Sequence, residues 1–409
     1  MRWTTGWLPL AVIGLSALAS APLRAQEDLR VYGYFSTRLE KSLQVPDWDG
    51  SRVTKSSAPK EFSQPFFNVM LQQQISPKFR AYVNLNGAKA GTIDVRNMWG
   101  EYSASNAFNV RVGKIYRKFG LYNEVLDAVP TYYGIEPPES FDADHLLISR
   151  TTAAMVYGFW TLGKGRLNYS LSTDNGEGRT IDGTLPVGYD VNYSFGRGNY
   201  TIGVSGYTSG GATDSDVPVG SSSPKSGVLP WMARDSFRVA NAYAEVKRGA
   251  WLLQLEWARA DHKSLRDAAS VVTVVKNAGV NVAQRARFLR NPSGTVDAAN
   301  VSASGDHVIQ TWYVRSGYSF ETQRGEVAPY VQWDAYKNPE TIAAKKYGGD
   351  DEAGVSDDGA FTKATAGIVY RPIPQVALKI DSSLHRYRFY GQRVSYPELR
   401  LDLSYAFGL

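Results

Sequence analysis

The sequence predicts an all-β fold: a closed antiparallel transmembrane β-barrel of about sixteen strands with short turns at one rim and long loops at the other. Three observations lead to this prediction. Apolar and polar side chains alternate along many short segments, and tight turns alternate with long loops between those segments. The last ten residues, RLDLSYAFGL, keep the apolar alternation up to the end of the chain.

The first 25 residues have the pattern of a secretory signal peptide. Arg2 is followed by an apolar run from Trp7 to Ala21, and small residues lead to Ala25 and Gln26. A run of this length is too short to span a bilayer. We therefore expect residues 1–25 to be removed on export, with an uncertainty of a few residues in the cleavage point, and residues 26–409 to form one barrel.

The composition limits the class of protein. Mean hydropathy is −0.31 and no second long apolar run follows the signal segment, which excludes a helical membrane protein. The 10 Trp, 25 Tyr and 38 Gly favour strands, and the lack of Cys excludes disulfides and thiolate metal sites. A net charge of +6 is too mild and dispersed to indicate a nucleic-acid partner.

The predicted strands are half-apolar, as their alternation shows. Val31, Phe35 and Leu39 alternate with Arg30 and Arg38, and the same period of two recurs to the C-terminus. Strands are predicted near 29–40, 64–75, 78–87, 92–103, 107–117, 151–162, 165–174, 186–196, 199–208, 236–247, 250–262, 306–321, 325–336, 360–371, 374–388 and 395–408. Their length suits tilted strands that cross a membrane.

The connections alternate between short and long. Ser76-Pro77-Lys78 and Arg248-Gly249 are examples of tight turns, whereas the intervening connections are longer and rich in Gly, Asp and Ser. We expect the short turns and both termini to face the periplasm. Because every backbone polar group must be paired within a bilayer, the last strand is expected to close the barrel against the first.

Two stretches resemble Gram-negative outer-membrane porins. The alternating C-terminal strand is similar to the last strand of these porins, although they commonly end in Phe and this chain ends in Leu409. The stretch NVRVGKIYRKFGLYNE, Asn109 to Glu124, resembles the fifth strand and following loop of the phosphate-selective porin O/P group. The resemblance implies that this loop folds into the lumen, that Arg111 lines the pore, and that the protein forms a homotrimer.

The loop after the fifth strand is long, acidic in places and apolar in others. Pro130, Pro137 and Pro138 stiffen its backbone, and its apolar side chains favour packing against the inner wall as a constriction over residues 118–149. The alternative is an external loop that covers the barrel mouth. The candidate constriction residues are Tyr122, Glu124, Asp127, Tyr132, Tyr133, Glu136, Glu139 and Asp142.

A basic sector is predicted on the inner wall from the parity of the strands. Its members are Arg30, Arg38, Arg80, Arg96, Arg111, Lys379 and Arg400. An acidic loop facing this sector sets a transverse field across a narrow aperture and favours polar solutes. The alternative is that inward charges only solvate a water-filled lumen and pair with one another.

Three further groups leave alternatives open. Arg285, Arg287 and Arg290 in the longest loop contact lipopolysaccharide phosphates or are simply exposed. The acidic stretch 350–358 matches no calcium-binding loop and favours solvated charge. The segment Val271 to Val275 is a hairpin leg or a partner contact.

These patterns predict an outer-membrane porin through which small hydrophilic solutes, anions among them, diffuse without a cofactor or metal. Neither a Gly-x-Ser-x-Gly nor a His-Glu-x-x-His motif accompanies the four His, so an enzyme is not expected. The main alternative is a barrel closed by its own loops that acts as a surface adhesin or receptor. A soluble secreted β-protein that binds glycans is a further alternative.

Overall fold

The computed structural model describes residues 29–59, 61–62, 65–87, 93–125, 129–141, 146, 150–174, 183–211, 229, 231–343 and 351–408. Sixteen long strands of the described chain form one antiparallel sheet, and we number them β1 to β16. They are β1 Leu29–Ser42, β2 Phe66–Ser76, β3 Phe79–Gly87, β4 Ile93–Ser105, β5 Phe108–Tyr116, β6 Arg150–Leu162, β7 Gly165–Asp174, β8 Val187–Phe195, β9 Tyr200–Thr208, β10 Met232–Arg248, β11 Trp251–Arg266, β12 His307–Tyr318, β13 Gly325–Lys337, β14 Ala360–Ile373, β15 Val376–Phe389 and β16 Gln392–Phe407.

The sheet closes on itself through its first and last strands. β1 pairs antiparallel with β16 from Gly33 opposite Phe407 to Ser42 opposite Glu398, and its other edge pairs with β2. Two short strands, Glu61–Phe62 and Phe320–Thr322, add to the sheet beside β1 and β13. The predicted closed barrel of sixteen strands is confirmed.

The alternation of the sequence becomes an apolar outer face and a polar inner face. Trp257 and Trp312 lie directly opposite each other on β11 and β12, and both remain about two-fifths exposed, at 43% and 40%. The inner face instead buries charged groups such as Asp334 and Arg400. An exposed apolar surface of this extent is typical of a protein that contacts lipid.

The two ends of the barrel differ, and we call them the short-turn rim and the long-loop rim. Leu29 begins β1 and Phe407 ends β16 at the short-turn rim. The last connection at the long-loop rim is shorter than the predicted segment 389–394, because Tyr390 and Gly391 alone join β15 to β16. Both have positive φ, 49° and 75°, as a two-residue hairpin turn that follows the strand twist requires.

The longest loop at the long-loop rim contains helix α1, Ala268–Ala278, followed by α2, Val282–Arg285. Asp267 caps the N-terminus of α1, and Gly279 ends it with φ of 61°. The segment Val271 to Val275 therefore belongs to a helix, and the interpretation as a hairpin leg is wrong. A third short helix, α3 Asp351–Val355, lies in the next loop.

The described helices are all short. None of them combines the length and the apolar character that a membrane-spanning helix needs.

Candidate functional site

Two described stretches of the connection between β5 and β6, residues 117–125 and 129–141, run inside the barrel, and we call them the inner loop segment. Its backbone N–H groups donate hydrogen bonds to side chains of the wall at four places. Gly120 donates to Ser205 Oγ of β9 at 2.9 Å, and Leu121 donates to Glu256 Oε2 of β11 at 3.3 Å. The other two bonds, each 3.3 Å, join Ile135 to Asp381 Oδ2 and Glu139 to Asp334 Oδ1. The inner loop segment thus lies along the inner face of the wall.

Glu136 is the centre of a cluster of charges that joins the inner loop segment to three strands. Its Oε1 lies 3.1 Å from Arg38 Nη1 of β1, and its Oε2 pairs with Arg400 of β16 and lies 3.6 Å from Lys363 Nζ of β14. Lys363 also pairs with Glu139. Burial acts to raise the pKa of Glu136, but the positive charges of Arg400, Lys363 and Arg38 outweigh it and hold the pKa below its usual value.

The tyrosines of the inner loop segment pack against the wall. Tyr122 makes edge contacts with Tyr313 of β12 and with Tyr132, at centroid distances of 6.0 and 5.3 Å. Tyr133 stacks on Tyr330 of β13 at 6.1 Å. These contacts place aromatic surface between the segment and the strands.

Lys379 of β15 is buried beneath the inner loop segment. Its Nζ donates to the carbonyl oxygens of Tyr132 and Gly134, at 2.9 Å each. Arg38 adds a bond of 2.9 Å to the carbonyl of Ile135. The segment therefore binds wall cations through its backbone as well as through Glu136.

A different charge cluster lies on β3, β4 and β5. Glu101 accepts from Arg80 and from Arg111, whose Nη2 lies 2.7 Å from Glu101 Oε2. The guanidinium of Arg111 stands 4.1 Å from the ring centroid of Trp99, which stacks on Tyr82 at 4.9 Å. Charge, cation–π contact and stacking together fix the direction of these side chains.

A cavity of about 200 Å³ separates this cluster from the inner loop segment. Its lining residues are Met70, Tyr82, Asn84, Asn97, Trp99, Arg111, Tyr116 and Glu124. Glu124 belongs to the inner loop segment and lies 3.6 Å from Lys118 Nζ. The cavity therefore has a carboxylate on the loop side and a guanidinium on the wall side.

The structure separates the predicted basic sector into groups. Arg38, Lys379 and Arg400 contact the inner loop segment, whereas Arg80 and Arg111 pair with Glu101. Arg96 is the extra residue of a β-bulge and reaches Asn86 Oδ1 at 3.5 Å. Arg30 is exposed at the short-turn rim. Asp127 and Asp142 lie outside the described residues.

The loop acids Glu136 and Glu139 contact one part of the inner wall. Glu136 pairs with two members of the predicted basic sector, Arg38 and Arg400. Glu136 and Glu139 both pair with Lys363, because the inner loop segment packs directly on the strands that carry these cations. Of the predicted carboxylates that the structure describes, Glu124 is the one that lines the cavity beside Arg111.

Glu101 and Lys363 were not predicted as site residues. The bulge at Arg96 reverses the parity of β4, so that Glu101 faces inwards although simple alternation from Arg96 directs it outwards. Lys363 shares the inward parity of Phe361 and Thr365, so the alternation of β14 contained the signal that could have found it.

In the described part of the chain no three His, Asp or Glu side chains are grouped as a metal site requires.

The fold defines a class: a sixteen-stranded barrel of the porin type. Solved structures with the same fold include the outer membrane channel DcaP of Acinetobacter baumannii, with 11% identity over 93% of this chain and 97% of that chain and a TM-score of 0.54. The anion-selective porin from Comamonas acidovorans shows 14% identity over 93% and 99% of the two chains, with a TM-score of 0.57. OmpT of Vibrio cholerae in its trimer form shows 10% identity over 93% and 99%, with a TM-score of 0.51.

No family model matches the sequence, and no curated protein matches it. At these identities the structural likeness establishes the shared fold.

Proposed function

We propose that the protein is an outer-membrane porin through which small hydrophilic solutes diffuse. The observation that carries the proposal is the inner loop segment, which Glu136 and its cationic partners hold against one side of the wall. It leaves a cavity beside Arg111 with polar and aromatic lining. A pore narrowed in this way selects solutes by size and by hydration.

The apolar outer face and the fold shared with outer-membrane proteins support this location. The signal-peptide pattern of residues 1–25, which lie outside the described residues, supports export. A homotrimer is part of the proposal, because OmpT with the same fold is described in a trimer form. In this arrangement the long-loop rim faces the exterior.

We infer that the pore prefers anions. Arg80 and Arg111 share one carboxylate, Glu101, so this wall carries an excess of positive charge beside the cavity. The fold of an anion-selective porin and the resemblance of Asn109 to Glu124 to phosphate-selective porins support the same inference. Fixed positive charge at a narrow point raises the local concentration of anions.

A surface adhesin or receptor is the second candidate, and the packing at the long-loop rim favours it. The loops there share a buried core that includes Trp231, Val271 and Phe288. Arg266 Nε, at the end of β11, donates to Glu340 Oε2 of the loop after β13 at 3.0 Å, and Trp48 of the loop after β1 stacks on Tyr390 at 3.9 Å. These contacts tie separate parts of the rim together. Loops fixed in this way present a stable surface to a partner.

Single-channel recording in planar bilayers distinguishes the two candidates. A porin gives stepwise, ohmic conductance, and a reversal potential measured across a salt gradient gives the sign of its selectivity. A folded barrel that inserts without conductance contradicts the porin and supports the adhesin or receptor.

A further inference from the structure

Three arginines form a basic cleft on the outer surface of the barrel, at the long-loop rim. Arg386 and Arg388 of β15 and Arg393 of β16 are exposed, and all three line a cleft of about 510 Å³. Arg388 lies directly opposite Arg393 across the strand pair. Because Tyr387 and Tyr396 of the opposite parity are buried in the barrel, the arginines point away from the lumen.

This arrangement places three positive charges beside one acidic residue. None of the three guanidinium groups forms an ion pair with a carboxylate among the described residues. Asp358 is the acidic residue that also lines the cleft, and its Oδ1 accepts a hydrogen bond of 3.5 Å from Ser356. Like charges directly opposite each other destabilise a strand pair, so a bound anion would relieve the repulsion.

The cleft adjoins the apolar outer face of the same strands. Ile380 on β15 and Leu399 on β16 are exposed at 46% and 52%, and Leu384 follows Ile380 on the same face. A strand rises about 3.4 Å per residue, so Arg386 stands roughly 7 Å beyond Leu384 towards the rim. A ligand that fills both regions has an anionic head and an apolar tail.

Two arginines of the longest loop are engaged elsewhere, whereas Arg290 is exposed. Arg285 Nε donates to the carbonyl of Val280 at 3.2 Å, and Arg287 Nη1 donates to that of Pro339 at 3.1 Å. The cleft on β15 and β16 is a basic surface next to the lipid-facing wall.

We propose that Arg386, Arg388 and Arg393 bind the phosphorylated headgroup of a lipid in the surrounding leaflet, whose acyl chains lie on Ile380, Leu384 and Leu399. Guanidinium groups suit this role because they form paired, charge-assisted hydrogen bonds with phosphate oxygens. The proposal requires the barrel to lie in a membrane, but it does not require the barrel to conduct.

The test compares two triple variants of the full-length protein in detergent micelles doped with bisphosphorylated lipid A. The first, Arg386→Gln with Arg388→Gln and Arg393→Gln, removes the cleft charges. The control, Lys164→Gln with Arg166→Gln and Arg197→Gln, removes the same charge from a cleft of about 610 Å³ at the short-turn rim. Heat-modifiable mobility on gels shows that each variant is folded.

We expect the first variant to bind lipid A about tenfold more weakly than the wild type, and the control to bind like the wild type. Dephosphorylated lipid A should bind weakly to the wild type, and inorganic phosphate at equal phosphate concentration should not displace lipid A. If the triple variant fails to fold, Arg388→Gln alone removes one member of the opposed pair and should still weaken binding.

The proposal is overturned if the folded Arg386, Arg388 and Arg393 variant binds lipid A as tightly as the wild type. It is also overturned if the control variant loses as much affinity for lipid A as that variant does. Full displacement by inorganic phosphate assigns the cleft to a free anion and overturns the lipid. A change in oligomeric state without a change in lipid binding assigns the arginines to an interface between copies of the chain and overturns it as well.

Discussion

Glu136 of the inner loop segment and Arg400 of β16 form an ion pair although 264 positions separate them in the chain. Arg400 lies on the strand that pairs with β1, and Arg38 of β1 binds the same carboxylate. The carboxylate therefore connects the inner loop segment to both strands at the closure of the barrel. The full set of contacts around Glu136 can form only after the barrel has closed.

Replacing Glu136 by Gln should release the inner loop segment. The substitution leaves Arg38, Lys363 and Arg400 without their shared charge, and breaking a buried pair in this way costs about 3 kcal/mol or more. We expect higher and noisier single-channel conductance, while the barrel keeps its heat-modifiable mobility.

Glu321→Gln is the matched control, because Glu321 is exposed at the short-turn rim. Its replacement changes the net charge by the same amount as Glu136→Gln. Conductance of Glu136→Gln that equals that of wild type would show that the inner loop segment does not limit the current.

The attachment of the inner loop segment through Glu136 should weaken in acid. Glu136 has a pKa below its usual value of 4.5, so its ion pairs stabilise the attached segment fully above pH 4.5. That stabilisation is lost as the pH falls below 4.5 through the depressed pKa. We expect wild-type conductance to rise as the pH falls below 4.5.

The same titration of Glu136→Gln provides the comparison, since this variant has no carboxylate to protonate at the position. A rise of equal size in both proteins would assign the acid response to another group.

Replacing Arg80, Arg96 and Arg111 by Ala should reduce the preference for anions. The change removes three positive charges near the cavity and leaves Glu101 without its partners. The contacts of Glu136 stay intact, so we expect a shift of the reversal potential towards cation selectivity with a smaller change in conductance.

Arg30→Ala tests whether any inward cation has this effect, because Arg30 is exposed at the short-turn rim and away from the cavity. Unchanged selectivity in the triple variant would exclude this wall as the filter.

The barrel could be predicted from the sequence because strand alternation is a local property. Each strand shows its two faces in its own residues, and the alternation of RLDLSYAFGL indicated that the chain ends on a barrel strand. The same rule fails at Arg96, where one extra residue reverses the faces and turns Glu101 inwards. A bulge depends on the neighbouring strand, and a single sequence does not display that pairing.

The ion pairs of the inner loop segment could not be predicted for a related reason. The acidic loop and the basic wall were both visible as composition, but the partners of Glu136 come from β1, β14 and β16. Which cations meet the carboxylate depends on the path of the loop across the lumen. Helix α1 was missed because its Val-rich core resembles a strand, although its caps, Asp267 and Gly279, enclose the eleven helical residues between them.

The last prediction concerns the closing strand. Phe407 points outwards at the short-turn rim, 40% exposed, and its ring lies over Gly33 of β1, where an added Cβ would come within 2.9 Å of it. Phe407→Asp removes the contact between the aromatic ring and Gly33 and puts a charge on the lipid face. We therefore expect little folded, heat-modifiable barrel in outer-membrane fractions. Ala406→Asp introduces the same charge one residue earlier, on the lumen side, and should assemble nearly normally. Equal amounts of folded barrel from both variants would show that neither the ring of Phe407 nor its outward position matters for assembly.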